Sequence, residues 1–549
     1  MKGKKIALYT IMAILVFLII CPLVSIFAEA MFQEGRFDLS NAVNTIKESE
    51  NAAMIGSSLL LGLLVVIISS VIALPLAYIF SRTELARYRF FDVIFMIPFM
   101  TPPYIASMGW ILFMQKRGLM QQLFPSLAFI SDLFFSLGGL VLVMSFHVFP
   151  FMMTMMKNAM LSVPSSLDEA GAVLGATFST RIRKLFMPLL TGNYAIGALL
   201  VFVKTISEYG TPSTLGRRIG FNVFTTDIHR YATVAPIEFG KSASLASVLV
   251  GICLLIWMFQ NYITMKKTYS LVGGKGGAVR LRKLSKPALA AAIIFITAVV
   301  FFSMIIPLFS VTVSSLIKLR GYGMRTGNYT FMNYVNVFME DRQGINALLV
   351  SVFLAFSSAT IASILGTVAV TVSRLARSGM RKTIEGIALL PEMLPSIVLV
   401  LGIMLFYNSI YKVLPIYGTI WIMVLSYVVL FLPYTVQYVT SSYSQISPSL
   451  VAAGRISGGS SCYVFIHITL PLISRGIMSG WMMTFIIAFR ELVTPSLIAP
   501  TNTLTVSTYI NRQFEQGSVG KGMSMAVICI LFSTVSLLIL NKVILRERH

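Results

Sequence analysis

Five charged side chains stand at the ends of, or inside, strongly apolar runs: Lys204 and Glu208, Arg490 and Glu491, and Glu392 beside Pro391. Charge at membrane depth is costly, and side chains that carry it usually face a water-filled path or a partner. Two carboxylates, Glu208 and Glu491, would supply the oxygen donors that a hard metal cation prefers. A plainer reading stands beside this one: Lys204 and Arg490 neutralise the glutamates and hold the runs together. Catalytic chemistry is not legible. His147, His229, His467 and His549 stand at no catalytic or metal-ligand spacing in the sequence, which has no nucleophile elbow, zinc-helix motif or Walker sequence. The tract Gly273-Gly274-Lys275-Gly276-Gly277 lacks the spacing of a phosphate loop. The chain is therefore predicted to be no enzyme and to bind no cofactor of its own.

The elements that position these residues are membrane spans. The chain has 549 residues, a mean hydropathy of +0.84, 56% apolar residues and 11% charged ones, against about 25% charged in soluble domains. An all-α polytopic membrane protein is predicted, with about twelve spans near 6–28, 55–80, 93–114, 134–156, 189–207, 242–264, 288–316, 345–373, 384–406, 416–440, 473–489 and 522–544. The first run follows Lys2, Lys4 and Lys5 but is too long for a signal peptide, so it is read as a retained span. The net charge of +23 fits the positive-inside bias of a membrane protein better than nucleic-acid binding. The basic residues fall mostly in alternate connections, which predicts cytoplasmic termini on both sides. Cys21, Cys253, Cys462 and Cys529 have no metal or disulfide spacing and read as buried thiols.

The two halves repeat. Ser81-Arg82 matches Ser373-Arg374, Pro98 and Pro102 match Pro391 and Pro395, Pro150 matches Pro433, and Glu208 matches Glu491. A first six-span repeat at 1–264, a basic glycine-rich cytoplasmic linker at 265–287 and a second repeat at 288–549 follow. An even number of spans gives both repeats the same membrane orientation, which places a solute path on the pseudo-twofold axis between them. The matched prolines suggest bent helices lining a cavity.

One polar segment recurs in each half, at Ser162–Pro188 and at Ser447–Pro471. Each carries two glycines four apart, Gly171/Gly175 and Gly454/Gly458, and a proline 13 residues after the second, Pro188 or Pro471. Residues i and i+4 share a helix face, so the pair predicts a bare notch for a partner's backbone. Topology places both notches in the cytoplasm. The outer loops are short, so capture of a substrate falls to a separate protein, with 208–241 as a candidate docking surface.

These segments carry a family resemblance. Glu169-Ala170-Gly171-x3-Gly175-x9-Leu185-x-Met187-Pro188 resembles the EAA signature of permease subunits of binding-protein-dependent ABC importers. Ala452-Ala453-Gly454-x3-Gly458-x9-Ile468-x-Leu470-Pro471 resembles it too, with Ala452 in place of the glutamate. Within that family the doubled layout, Glu208-Tyr209-Gly210-Thr211-Pro212 and the stretch 220–228 are most similar to fused ferric iron permeases of the bacterial inner membrane.

The resemblance implies a type I importer fold. It implies two copies of a nucleotide-binding ATPase subunit that uses ATP and Mg2+, an extracytoplasmic substrate-binding protein, and coupling through Glu169, Ala170, Gly171, Gly175, Pro188, Ala453, Gly454, Gly458 and Pro471. Phosphonate, sugar phosphate, thiamine and polyamine importers share these signatures and remain alternatives. A secondary transporter or channel working alone is the rival from another class, since parallel repeats occur there as well.

Overall fold

The computed structural model describes residues 2–33, 36–88, 90–95, 97–266 and 281–545. Most of the predicted linker lies outside the described residues. Ten helices among the described residues are long and apolar enough to cross a membrane. An eleventh span is a bent pair, Ser378–Met393 and Ser396–Ser409, which meet at 111°. A two-stranded hairpin, Phe32–Gln33 with Arg36–Phe37, is the only sheet among the described residues.

Two of the twelve predicted spans are thus not continuous helices, and they are the matching ones. The run 93–114 is broken into Phe90–Ile94, Ile97–Met100 and Pro103–Met114. Proline explains both breaks. Pro102 (φ −54°, ψ 136°) and Pro395 (φ −58°, ψ 134°) each stand in extended geometry just before a helix begins. Each lacks an N–H to continue the preceding helix. By contrast Pro150 and Pro433 sit inside unbroken helices, Leu137–Ser162 and Ile420–Ser444.

Proline also shapes the spans in a way the sequence reading did not anticipate. Four π-helical turns, Val16–Ile20, Ile182–Phe186, Phe301–Ile305 and Phe465–Thr469, each end two residues before a proline: Pro22, Pro188, Pro307 and Pro471. Widening the turn relieves the clash of the proline ring with the preceding carbonyls.

The chain forms two compact units, and their boundary is not the repeat boundary. One unit comprises Glu48–Asp227 and Gly251–Tyr329; the other comprises Met1–Lys47, Ile228–Val250 and Thr330–His549. In the first, Ser49–Arg82 packs on Leu137–Ser162 and Met187–Ile206. In the second, Arg342–Ser373, Ile420–Ser444 and Leu470–Phe489 pack together. The opening span of each repeat belongs to the other repeat's unit. Ile306–Leu316 lies on Pro103–Met114, and Cys21–Met31 lies on Ser396–Ser409. Each contact is made through a glycine. A Cβ on Gly109 would come 2.6 Å from the Pro307 carbonyl oxygen, and one on Gly402 would come 2.5 Å from that of Pro22. Only a residue without a Cβ lets a backbone approach so closely.

Candidate functional site

The two polar segments fold alike. In the first, helix Ser165–Val173 ends at Leu174, Gly175 turns the chain at φ +79°, and a short helix Phe178–Arg181 runs through the π turn into Met187–Ile206. In the second, helix Pro448–Ile456 ends at Ser457, Gly458 turns at φ +87°, and Ser461–Val464 runs through its π turn into Leu470–Phe489. The Ala176 N–H donates to Gly171 O and the Gly459 N–H to Gly454 O, both closing the helix end as a left-handed glycine cap. Pro188 and Pro471 each stand at the second position of the helix that leads back into the core.

This geometry replaces the predicted notch. Gly175 and Gly458 are not on a helix face; they lie past its end, with nothing within 4 Å of a built Cβ, and their role is the positive φ. Gly171 and Gly454 face the chain's own return stem rather than open space. A Cβ on Gly171 would meet Arg181 Cδ at 3.3 Å, and one on Gly454 would meet Ile468 Cδ1 at 2.5 Å and Val464 Cγ2 at 3.2 Å. Among what each segment presents outward are large apolar side chains. Leu167 is 38% exposed, Val173 87% and Leu174 86%; in the matching places Leu450 is 49% and Ile456 87% exposed. Ser457 stands where Leu174 does. Glu169, Ala170, Ala452 and Ala453 are exposed beside them. Cys462, predicted as a buried thiol, is exposed at the start of the second stem.

Glu208 and Glu491 lie just beyond the ends of their spans, at Ile206 and Phe489. The Thr211 N–H donates to the Glu208 carboxyl at 3.0 and 3.1 Å. Those of Val493 and Thr494 donate to Glu491 at 2.8 and 2.9 Å. Burial pushes each carboxyl up to about 7, against the pull of these backbone donors. Both carbonyls are held as well: Thr225 Oγ1 donates to Glu208 O at 2.7 Å, and Ser507 Oγ to Glu491 O. The segments that follow are fastened in matching fashion. Phe224 N–H donates to Ser58 Oγ (2.9 Å), and Val506 N–H to Ser351 Oγ (2.8 Å). Much of 208–241 is therefore packed structure, with Val223, Phe224 and Ile228 buried. Lys204 Nζ stands 5.9 Å from the Phe151 ring centroid.

Glu392 is placed differently. It lies at the 111° break and is exposed, and it accepts a hydrogen bond from Gln437 Nε2, itself exposed on the largely buried helix Ile420–Ser444. Tyr434, one turn back on that helix, and Tyr438, the next residue along, are half-buried beside it. Gln437, Tyr434 and Tyr438 were not singled out from sequence. Polar residues on an otherwise apolar span were the available signal. The first repeat has Thr154, Phe151 and Met155 in the corresponding places. Among the described residues no group of three or more His, Cys, Asp or Glu forms a metal cluster.

The family model described as "Binding-protein-dependent transport system inner membrane component" matches residues 66–268 and again 359–548. A ferric transport system permease protein of Actinobacillus pleuropneumoniae is 24% identical, over 99% of this chain and 79% of its own length. An Fe(3+)-transport system permease protein of Haemophilus influenzae is 22% identical over 97% and 98%. A spermidine/putrescine permease protein of Haemophilus influenzae is 25% identical, but over 46% of this chain.

Proposed function

Since the chain belongs to the family of inner membrane components of binding-protein-dependent transport systems, we propose that it is the fused permease of a ferric iron importer driven by ATPase subunits docked on its two polar segments. The observation that carries the docking is the pair of matched, exposed helices. Leu167 and Val173, and Leu450 and Ile456, put large apolar side chains into solvent at the same places in both repeats. Exposed apolar groups in a polar setting mark an interaction surface, and two such surfaces fit two copies of one partner. ATP and Mg2+ are bound by that partner. Both termini and both segments lie in the cytoplasm, and a substrate-loaded binding protein docks on the opposite face. Differential contact of the ATPases with inward- and outward-open states drives the cycle.

Ferric iron as the cargo is supported by the names of relatives that align with nearly the whole chain, whereas spermidine and phosphonate permease relatives align with about half of it. The substrate path runs by the charged residues at the span ends, Lys204, Glu208, Arg490 and Glu491, and by Glu392 at the break. The Glu392–Gln437 pair is the best-placed contact, because both residues are exposed, Glu392 at the break and Gln437 on a largely buried span. Carboxylate and amide oxygens suit a hard cation.

The test is uptake by the complete complex in liposomes, with binding protein outside and ATP inside. Radiolabelled ferric iron is expected to accumulate, and spermidine and 2-aminoethylphosphonate are not. Uptake of either organic substrate in place of iron would reassign the cargo. Iron uptake without any ATPase subunit would sink the docking.

A further inference from the structure

The first polar segment hangs between two stems, the end of helix Leu137–Ser162 and the π turn Ile182–Phe186. One guanidinium touches both. Arg82, the last residue of Ser49–Arg82, is 4% exposed. Its Nη2 donates to the carbonyls of Met160 and Val163. Its Cζ lies 5.3 Å from the Phe186 ring centroid. A guanidinium stays charged, so burying it is tolerated only with good partners. Here it bonds two carbonyls at a neighbouring helix end and lies over an aromatic ring. The chain on either side of Arg82 is anchored too. The Arg282 N–H donates to Arg82 O at 2.9 Å, and the Glu84 N–H donates to Arg282 O at 3.1 Å. The end of the linker is thereby paired onto the same corner.

Among the described residues the second repeat lacks this node. Arg374 matches Arg82, but its Cζ stands 4.6 Å from the ring centroid of Tyr443, the residue that matches Met160. Thr469 stands where Phe186 does. Ser373 Oγ donates to Glu385 at 3.1 Å, and Arg381 bonds the same carboxylate at 2.9 Å.

We infer that Arg82 is the positioning residue that ties movement of the first coupling segment to the core helix Ser49–Arg82, so that the two segments transmit force unequally. Displacing helix Ser165–Val173 shifts Val163 and Phe186 together. Arg82 must then follow or break its bonds. This rests on the ATPase-docking reading, and the assay separates the two.

The permease is reconstituted with its ATPase subunit and binding protein, as wild type and as Arg82→Ala, Arg82→Lys, Phe186→Leu and Arg374→Ala. ATPase retention, basal hydrolysis and substrate taken up per ATP are measured. Arg82→Ala is expected to keep the ATPase bound and basal hydrolysis intact while uptake per ATP falls about tenfold, or about 1.4 kcal/mol. Arg82→Lys is expected to restore part of it, and Arg374→Ala to stay within about twofold. Wild-type uptake per ATP in Arg82→Ala, or an equal loss in Arg374→Ala, overturns the inference. If Arg82→Ala does not assemble, Phe186→Leu decides: it is expected to lower uptake per ATP, and an unchanged ratio overturns the inference. A wild-type complex that retains no ATPase sinks the docking reading instead.

Discussion

The two polar segments share a backbone and differ in what fastens it. In the first, Arg181 Nη1 bonds the Asp168 carboxylate at 2.9 Å across the fold-back of the helix onto its stem. In the second, Val451 and Val464 occupy those places, and Gly454 seats against Val464 and Ile468. A polar pin in one repeat is replaced by apolar packing in the other. The backbone itself, a helix closed by a glycine at positive φ and returned through a π turn to a proline, is indifferent to that exchange. The lesson is that the shape of these helices is set by glycine and proline, whereas the contacts that fasten them are made by side chains that differ between the repeats.

The largest expected effect tests the outward surface. Val173 and Leu174 form a double apolar tip, against the single Ile456 of the second segment. Replacing Val173 and Leu174 together by Asp is expected to lower uptake at least tenfold, about 1.4 kcal/mol or more, as for an interface hot spot. Ile456→Asp is expected to cost less. Equal losses would mean that the tips are equivalent. Co-purification of the ATPase with each variant gives the reading.

The glycine turns come next and are expected to behave alike. Ala at Gly175 or Gly458 must adopt a left-handed backbone at a cost of about 1–2 kcal/mol. Thermal unfolding in detergent, or protease nicking of the segments, should show a similar loss for both. A loss at one only would place the common backbone in doubt.

The packed glycines should then part company. Gly454→Ala drives a Cβ to 2.5 Å from Ile468, whereas Gly171→Ala needs only a few tenths of an ångström from Arg181. Gly171→Ala is expected to be neutral or to stabilise by up to about 1 kcal/mol, because Ala favours the helix. Gly454→Ala is expected to lose that benefit through crowding. Thermal shifts of opposite sign would sharpen the contrast; equal shifts would remove it.

The smallest effect concerns the pin. Asp168→Ala removes a partly exposed ion pair and is expected to cost about 0–1 kcal/mol. Faster amide exchange confined to residues 165–173 would report it. No change in exchange there would mean that the helix is held by its backbone alone.

Much of the molecule was legible in the chain. The apolar runs gave the spans, because a bilayer demands about 20 apolar residues in a helix. The repeat spacing of Gly175, Gly458, Pro188 and Pro471 located both polar segments, because turns and stems depend on backbone freedom that residue type sets locally. Pro102 and Pro395 marked where two spans break, where sequence alone suggested bends. The glycine notch was misread for a simple reason: helical spacing was assumed across a residue that ends the helix.

Residue order and chemistry by themselves determined the membrane-spanning helices, the duplication and the two matched turns, since each rests on interactions a few residues apart. Only the tertiary structure decided the rest. It seated Gly109 on Pro307 and Gly402 on Pro22, exposed Glu392 and Gln437 together at a bend, and gathered Met160, Val163 and Phe186 around Arg82. These partners are far apart in the chain, and what selects them is close packing and the need to satisfy a buried charge, neither of which any short stretch of sequence displays.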